Sequence, residues 1–292
     1  MSDDHKKEID DVTGVGTTGH VWDGIRELNN PLPRWWVWIF YATVVFAIGY
    51  MVYYPAVPLI NSATQGVGGY SSRAELESAM EAAQAEKAGM LQQLAETDVS
   101  DIPANDELMR FATAGGESAY KVYCSQCHGS GAQGGYGYPN LNDDAWIWGG
   151  DLETIYTTIA HGIRYDGDPD SRFSMMPSFG VDQILDRDQI QELAHYVRSL
   201  SGLEHDAQMA AAAAENFDVN CSSCHGVEGE GMTALGAPNL SDAIWLYGSE
   251  TDQIASQVHN PKHGVMPAWV DRLGETTVKQ LTVYVHSLGG GE

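Results

Sequence analysis

The sequence predicts a mostly α-helical protein: one N-terminal membrane-spanning helix, a spacer, and two tandem copies of one small helical domain. Three observations predict it. A twenty-residue apolar run lies near the N-terminus, four landmarks occur twice in the same order, and apolar residues recur at helical spacing. The expected boundaries are an N-terminal segment at 1–34, a membrane helix at 35–57, a linker and helical spacer at 58–104, a first domain at 105–202 and a second at 203–292.

The span rests on Trp35 to Tyr54, WWVWIFYATVVFAIGYMVYY, broken only by Thr43 and Gly49. Twenty helical residues cover about 30 Å, the thickness of a bilayer's hydrocarbon core. No charge occurs between Arg34 and Arg73. Trp35, Trp36 and Trp38 gather at one end, and Tyr50, Tyr53 and Tyr54 at the other, as aromatic belts do at the two water interfaces. A cleaved signal peptide is shorter and lacks a 34-residue polar leader. Lys6, Lys7, Arg26 and Arg34 precede the span, so the positive-inside rule puts the N-terminus in the cytoplasm and the remainder outside.

Beyond the span, Pro55, Pro58, Gly66, Gly68 and Gly69 predict a flexible exit from the membrane. Ser71 to Thr97 is rich in Ala, Glu, Gln and Leu, a helix-forming composition with no evident chemistry. The repeat follows. Its first copy reads AYKVYCSQCHG, YPNLNDDAW, MMPSFG and IQELAHYVRSLSG; its second reads AENFDVNCSSCHG, APNLSDAIW, VMPAWV and VKQLTVYVHSLGG. Ile190, Leu193, Ala194, Val197 and Leu200 form one apolar helical face, and Val278, Leu281, Tyr284, Val285 and Leu288 form its counterpart. Asp186 with Gln189, and Thr277 with Gln280, have capping-box spacing, and Gly202 and Gly289 stand at the stops.

The cysteines carry the chemistry. All four lie in Cys124-Ser125-Gln126-Cys127-His128 and Cys221-Ser222-Ser223-Cys224-His225. Two thiols spaced by two residues can form thioethers to the two vinyl groups of one haem, and the next residue, histidine, then offers an imidazole to the iron. A thioredoxin-like pair needs a βαβ setting, and a zinc ribbon needs its pairs about 15–20 residues apart; neither condition is met. The expected cofactors are two covalently bound haem c groups, and the two copies are expected to be class I cytochrome c-like domains. Haem c is attached outside the bacterial cytoplasm, which gives the same orientation as the charge rule: a single-pass protein of the bacterial inner membrane with periplasmic haem domains.

Each iron needs a second axial ligand if it is to carry electrons without binding gas. Met176-Pro177 lies 48 residues after His128, and Met266-Pro267 lies 41 residues after His225. Methionine sulfur raises the potential, and the proline stiffens the loop. Met176 is preferred over its neighbour Met175 because only Met176 aligns with Met266. His161, His195, His259, His263 and His286 are rival ligands, with His161 and His259 as candidates to bond a propionate. Trp146, Trp148, Trp245 and Trp269 are expected to wall the haem pockets or the core. Order alone leaves open whether each haem takes its methionine from its own copy or from the other.

There are 40 acidic and 15 basic residues, a formal net charge of -25. Phosphate repels such a surface, which excludes nucleic acid as a partner; a basic protein partner is attracted, and solubility is the competing explanation. The segment WDGIRELNNPLPRWW, Trp22 to Trp36, leading into one span and tandem haem motifs, resembles the diheme subunit (subunit III) of cbb3-type cytochrome c oxidases. The resemblance implies an electron-transfer subunit that is no enzyme on its own. It takes electrons from a soluble cytochrome c donor or a membrane cytochrome. It passes them through a monoheme cytochrome c subunit toward the haem–copper catalytic subunit of a proton-translocating oxidase. Cys124, Cys127, His128, Cys221, Cys224, His225, Met176 and Met266 carry over. A free-standing membrane-tethered diheme shuttle, or the cytochrome subunit of a dehydrogenase, would use the same domains. A gas-binding haem sensor needs an open iron position, against which the paired Met-Pro motifs argue.

Overall fold

The structure is a computed structural model that describes residues 8–289. The chain divides into two compact units, one up to Gln84 and one from Ala85 onward.

The first unit opens with a feature the sequence reading passed over. Strands β1 (Thr17–Trp22) and β2 (Ile25–Leu28) pair antiparallel, with Trp22 opposite Ile25 and Thr17 opposite Leu28. Asp23 and Gly24 make the two-residue turn at φ 48° and 85°, the positive-φ pair a tight hairpin requires. Glu27 of β2 ties the strands together, accepting from Thr18 Oγ1 and Trp22 Nε1 of β1. Helix α1 (Arg34–Tyr53) follows Pro33 and buries none of its residues. A helix that is apolar but for Arg34 and Thr43, buries none of its residues and has mean hydropathy 1.7 makes no sense in water and matches a membrane span. It ends a little short of the expected 57.

The exit from this helix is a hydrogen-bonded turn rather than the flexible tether expected. Val67 N donates to Val52 O and Gly68 N to Tyr53 O, while Leu59 N and Ser62 O close a tighter loop. Gly66, at φ +71°, lies so close to the Tyr53 carbonyl that no side chain fits there. The glycines that read as flexibility are the ones that let the chain fold back. Helix α2 (Ser72–Glu96) matches the predicted spacer and begins in this unit.

The second unit begins with the last turns of α2, where Leu94 is fully buried. A 3₁₀ turn over Val99–Ala104 leads to α3 (Asp106–Tyr123) and the single-turn α4 (Ser125–His128). Then come α5 (Leu152–His161), α6 (Arg187–Leu200), α7 (Ala207–Asn220), the single-turn α8 (Ser222–His225), α9 (Thr251–His259), the short α10 (Val270–Leu273) and α11 (Glu275–Ser287). Starts are set by polar side chains: Asn105 accepts from Glu107 N and Leu108 N, Asp206 from Gln208 N and Met209 N, supplying acceptors that the first turn lacks. Asp186 and Gln189 form the expected capping box. Thr277 and Gln280 do not: α11 starts earlier, at Glu275, and Gln280 is buried against Gly115 and Gly116 of α3. The box at α9 is instead Glu250 with Gln253.

The copies that follow one another in sequence, 105–202 and 203–292, are not the bodies that pack. Helix α3 packs on α11, from the far end of the chain, and α11 also covers α5. Helix α6, which closes the first copy, packs instead on α7 and α9 of the second. One cluster therefore joins Tyr120, Ile155 and Ile159 to Val278, Leu281 and Val285. A second joins Ile190, Leu193 and Val197 to Phe217, Ile254 and Val258. The two copies have exchanged their closing helices. The apolar faces read from the sequence are the buried ones, but each covers the neighbouring copy.

Candidate haem sites

Each cysteine motif is built in the same way. Helix α3 ends at Cys124, and α4 turns once, with Cys127 N and His128 N both donating to Cys124 O at 3.1 and 3.0 Å. Cys224 N and His225 N repeat this on Cys221 O at 3.1 and 2.9 Å. Residues at i, i+3 and i+4 share a helical face, so one turn presents both sulfurs and the imidazole to the same side. Gly129 and Gly226, at φ 84° and 80°, stop the turn, and Gly134 N and Gly231 N bring the chain back to the histidine carbonyls.

Histidine orientation is fixed by the loop that follows. His128 Nδ1 lies 3.0 Å from Pro139 O, and His225 Nδ1 lies 3.0 Å from Pro238 O. A carbonyl only accepts, so Nδ1 carries the proton and Nε2 is left with the lone pair that an iron takes. The repeated Pro-Asn-Leu landmark thus has a function that its recurrence alone did not disclose. Burial lowers the pKa of both histidines, which favours the neutral ligand form. Burial, and then the neighbouring cysteine, pushes the thiols of Cys124 and Cys221 up to about 11. That is the reverse of the activated thiolate a redox dithiol needs. Tyr120, buried beneath the first motif, donates to Gly129 O at 2.9 Å and is raised to about 12 by burial.

The methionines cross over. Met266 packs with Cys124, Leu141, Trp146 and Trp269 on the first cluster; Met176 packs with Cys221, Leu240 and Trp245 on the second. Backbone bonds hold each loop on the opposite copy. Met266 and Ile163 exchange N–H···O bonds of 2.9 and 3.0 Å, and Trp269 N reaches Ala160 O. Reciprocally, Gly180 N and Val181 N donate to His259 O. Gly162 and Gly180 are needed where these chains touch, since a Cβ would overlap Met266 O at one and the His259 ring at the other.

A cavity of about 920 Å³ lies at the second motif, lined by Met176, Cys221, Cys224, His225, Phe217 and Trp245, among others. Its size and apolar walls suit a large planar ligand. Trp245 Nε1 lines it, buried and without a protein partner, which is the orphaned donor that a carboxylate-bearing macrocycle would satisfy. The residues present therefore fit haem c.

The other expected residues are dispersed. Trp146 and Trp269 wall the first cluster and Trp245 the second, while Trp148 lies under Arg172, whose guanidinium carbon is 5.5 Å from the ring centre. His161 is engaged by Asp168 at 3.0 Å. His259 lines a separate groove with Asp186 and Arg187, and neither His161 nor His259 lines the cavity at the second motif. His195 accepts from Asp206 N. His263 does line the cavity, as do Arg164 and Lys262, two cations the sequence reading missed because nothing in their spacing marks them.

Comparison with known proteins places the chain in a family. Residues 14–61 match the family model described as the N-terminal domain of cytochrome oxidase-cbb3, FixP; residues 113–201 match cytochrome c; residues 208–285 match cytochrome c oxidase, cbb3-type, subunit III. The chain is 54% identical over 292 residues to a cbb3-type cytochrome c oxidase subunit FixP of Sinorhizobium medicae, covering 100% of both chains. It is 54% identical to FixPc of Rhizobium leguminosarum bv. viciae, over 98% of this chain and 99% of the relative. It is 51% identical to the subunit CcoP of Cereibacter sphaeroides, over 94% and 95%. The chain belongs to the FixP/CcoP family of cbb3-type cytochrome c oxidase subunits, the electron-transfer subunit rather than the catalytic one, built from haem c-binding cytochrome c domains.

Proposed function

We propose that the chain holds two haem c groups with exchanged axial ligands. Cys124, Cys127 and His128 would hold one together with Met266, and Cys221, Cys224 and His225 the other together with Met176. The observation that carries this is that each methionine packs on the same buried cluster as the other copy's first cysteine, with Met176 lining one cavity together with Cys221, Cys224 and His225. When bound, haem c supplies a one-electron iron couple whose potential a thioether ligand raises. The chain's own part is to orient Nε2 of each histidine through the Pro139 and Pro238 carbonyls, to keep water out with Trp146, Trp245, Trp269 and Phe217, and to close the second axial position with sulfur.

The family and α1 support a membrane-bound place in the oxidase. The bias of Arg26 and Arg34 ahead of α1 supports a cytoplasmic N-terminus and periplasmic haem domains; Lys6 and Lys7, which share that bias, lie outside the described residues. In this role electrons pass from a soluble cytochrome c donor through this subunit toward a monoheme cytochrome c subunit and the haem–copper catalytic subunit, with membrane lipid around α1. The net charge of -25 suits a basic donor, whose electron transfer would slow with added salt.

Ligand exchange is tested with Cys124 and Cys127 both changed to Ala, which leaves one haem attached. In that background Met176→Ala should abolish the remaining sulfur-to-iron charge-transfer absorption and Met266→Ala should leave it. The opposite pattern refutes the exchange. Mass spectrometry of the mature chain should find a haem adduct on each cysteine pair, and only one adduct would refute the count of two.

A further inference from the structure

One guanidinium is shared between the two methionine loops. Arg164 stands just past the end of α5 at φ 51°, a left-handed conformation that a long side chain adopts only when its surroundings impose it. Its Nε donates to Gly264 O at 2.7 Å and its Nη1 to Ser174 O at 3.0 Å. Ser174 is two residues before Met176, and Gly264 is two residues before Met266. The backbone beside it is equally committed: Ile163 exchanges both hydrogen bonds with Met266, and Arg164 N donates to Arg172 O at 2.8 Å. Few other side chains could make this clamp. Arginine carries separate N–H groups on a rigid planar fork, whereas a lysine ammonium is a single point.

We propose that Arg164 is a positioning residue that clamps both methionine loops at once, so that both methionine–iron bonds loosen together when it is cut. This rests on Met176 and Met266 being the axial ligands. Each loop loses a charge-assisted hydrogen bond and is left with an unpaired, partly buried carbonyl, a loss that shifts a bound–unbound equilibrium about tenfold or more. The two haems, with ligands some ninety residues apart in sequence, would thus share one mechanical control.

The test uses the haem-loaded full-length chain in its complex, with Arg164→Gln. The readouts are the sulfur-to-iron charge-transfer absorption of the oxidised form, both midpoint potentials, and carbon monoxide uptake by the reduced form. The expected result is weakened sulfur absorption at both haems, a fall in both potentials, and carbon monoxide binding raised about tenfold. A change at one haem only, or a lower melting temperature with all three readouts unmoved, overturns the clamp. Met176→Ala and Met266→Ala serve as references, each removing the sulfur signal from one haem. If neither does so, the ligand assignment itself has failed, and the clamp with it. Should Arg164→Gln not load haem, Arg164→Lys decides: its ammonium has donors for both carbonyls but no planar fork to span them, so both sulfur signals should weaken together, and a change at one haem only, or at neither, overturns the proposal.

Discussion

Exchanging the closing helices brings α3 and α11 into close contact, and Gly116→Ala probes that contact directly. A Cβ at Gly116 would sit 2.6 Å from Tyr284 Cβ and would overlap the backbone carbonyl of Gln280. The obstacle is backbone, so it cannot rotate aside; the helices must separate. Overpacking of this kind costs about 1–3 kcal/mol, and a rigid obstacle places it toward the upper end. Separation also loosens Tyr120, Val278, Leu281 and Val285, which share the cluster. Against this, alanine gains about 1 kcal/mol over glycine in a helix. The net expectation is a loss of about 2 kcal/mol, or a fall in melting temperature of about 4–8 °C for a body of this size. The assay is thermal melting of the detergent-solubilised, haem-loaded chain at one scan rate, followed by circular dichroism and by haem absorbance. Gly89→Ala in α2 is the control, since nothing lies within 4 Å of its added Cβ; it should melt no lower than the parent. If Gly116→Ala also melts at or above the parent, α3 and α11 do not meet as described, and the exchanged packing is wrong.

Lys279→Met should destabilise the second unit by about 1.5–3 kcal/mol, because the ammonium caps the C-terminal end of α2 through Leu94 O, Ala95 O and Thr97 O at 3.3, 2.9 and 2.7 Å; an unchanged denaturation midpoint would remove that role. Trp245→Phe deletes the buried Nε1 donor of the second cavity. The haem-loaded protein should lose about 1–3 kcal/mol if a haem carboxylate uses that donor, and equal or greater stability in denaturant melts would show that nothing does. The carboxyl of Asp206 is held below its ordinary value by the N–H groups of Met209 and Gln208, and that of Asp168 by Asp170 N and then His161. The folded-state pKa values are depressed, so this contribution is complete above the ordinary carboxyl pKa and is lost as the pH falls through the lowered values. Melting temperature followed from pH 7 down to about 3 should therefore fall less steeply in Asp206→Asn than in the parent, and parallel curves would contradict the linkage.

Local chemistry was legible from residues alone. A run of twenty uncharged residues, the Cys-x-x-Cys-His spacing and the 3.6-residue apolar stripes each express a rule that acts within one helix or one turn, so α1, α6, α11 and the two cysteine motifs are legible without the fold. The Asp23-Gly24 hairpin is also written there in turn chemistry, a weaker signal than the helical ones beside it. Proline and glycine after α1 misled because the same residues that loosen a chain also permit a tight reversal. Thr277 with Gln280 misled because capping spacing recurs by chance, and only the start of α11 at Glu275 shows that Gln280 serves the helix crossing.

What the sequence determined by itself was which atoms are available: two cysteine pairs with their histidines, two Met-Pro loops, one membrane span and a strongly acidic surface. What only the tertiary structure decided was the partnership among them. The two copies share their landmarks and present apolar faces at the same helical spacing, so no pattern within one copy says which partner α6 or α11 covers. The choice is made by long-range contacts, in which Gly116 admits α11, Gly162 and Gly180 admit the opposite methionine loops, and Arg164 joins the two.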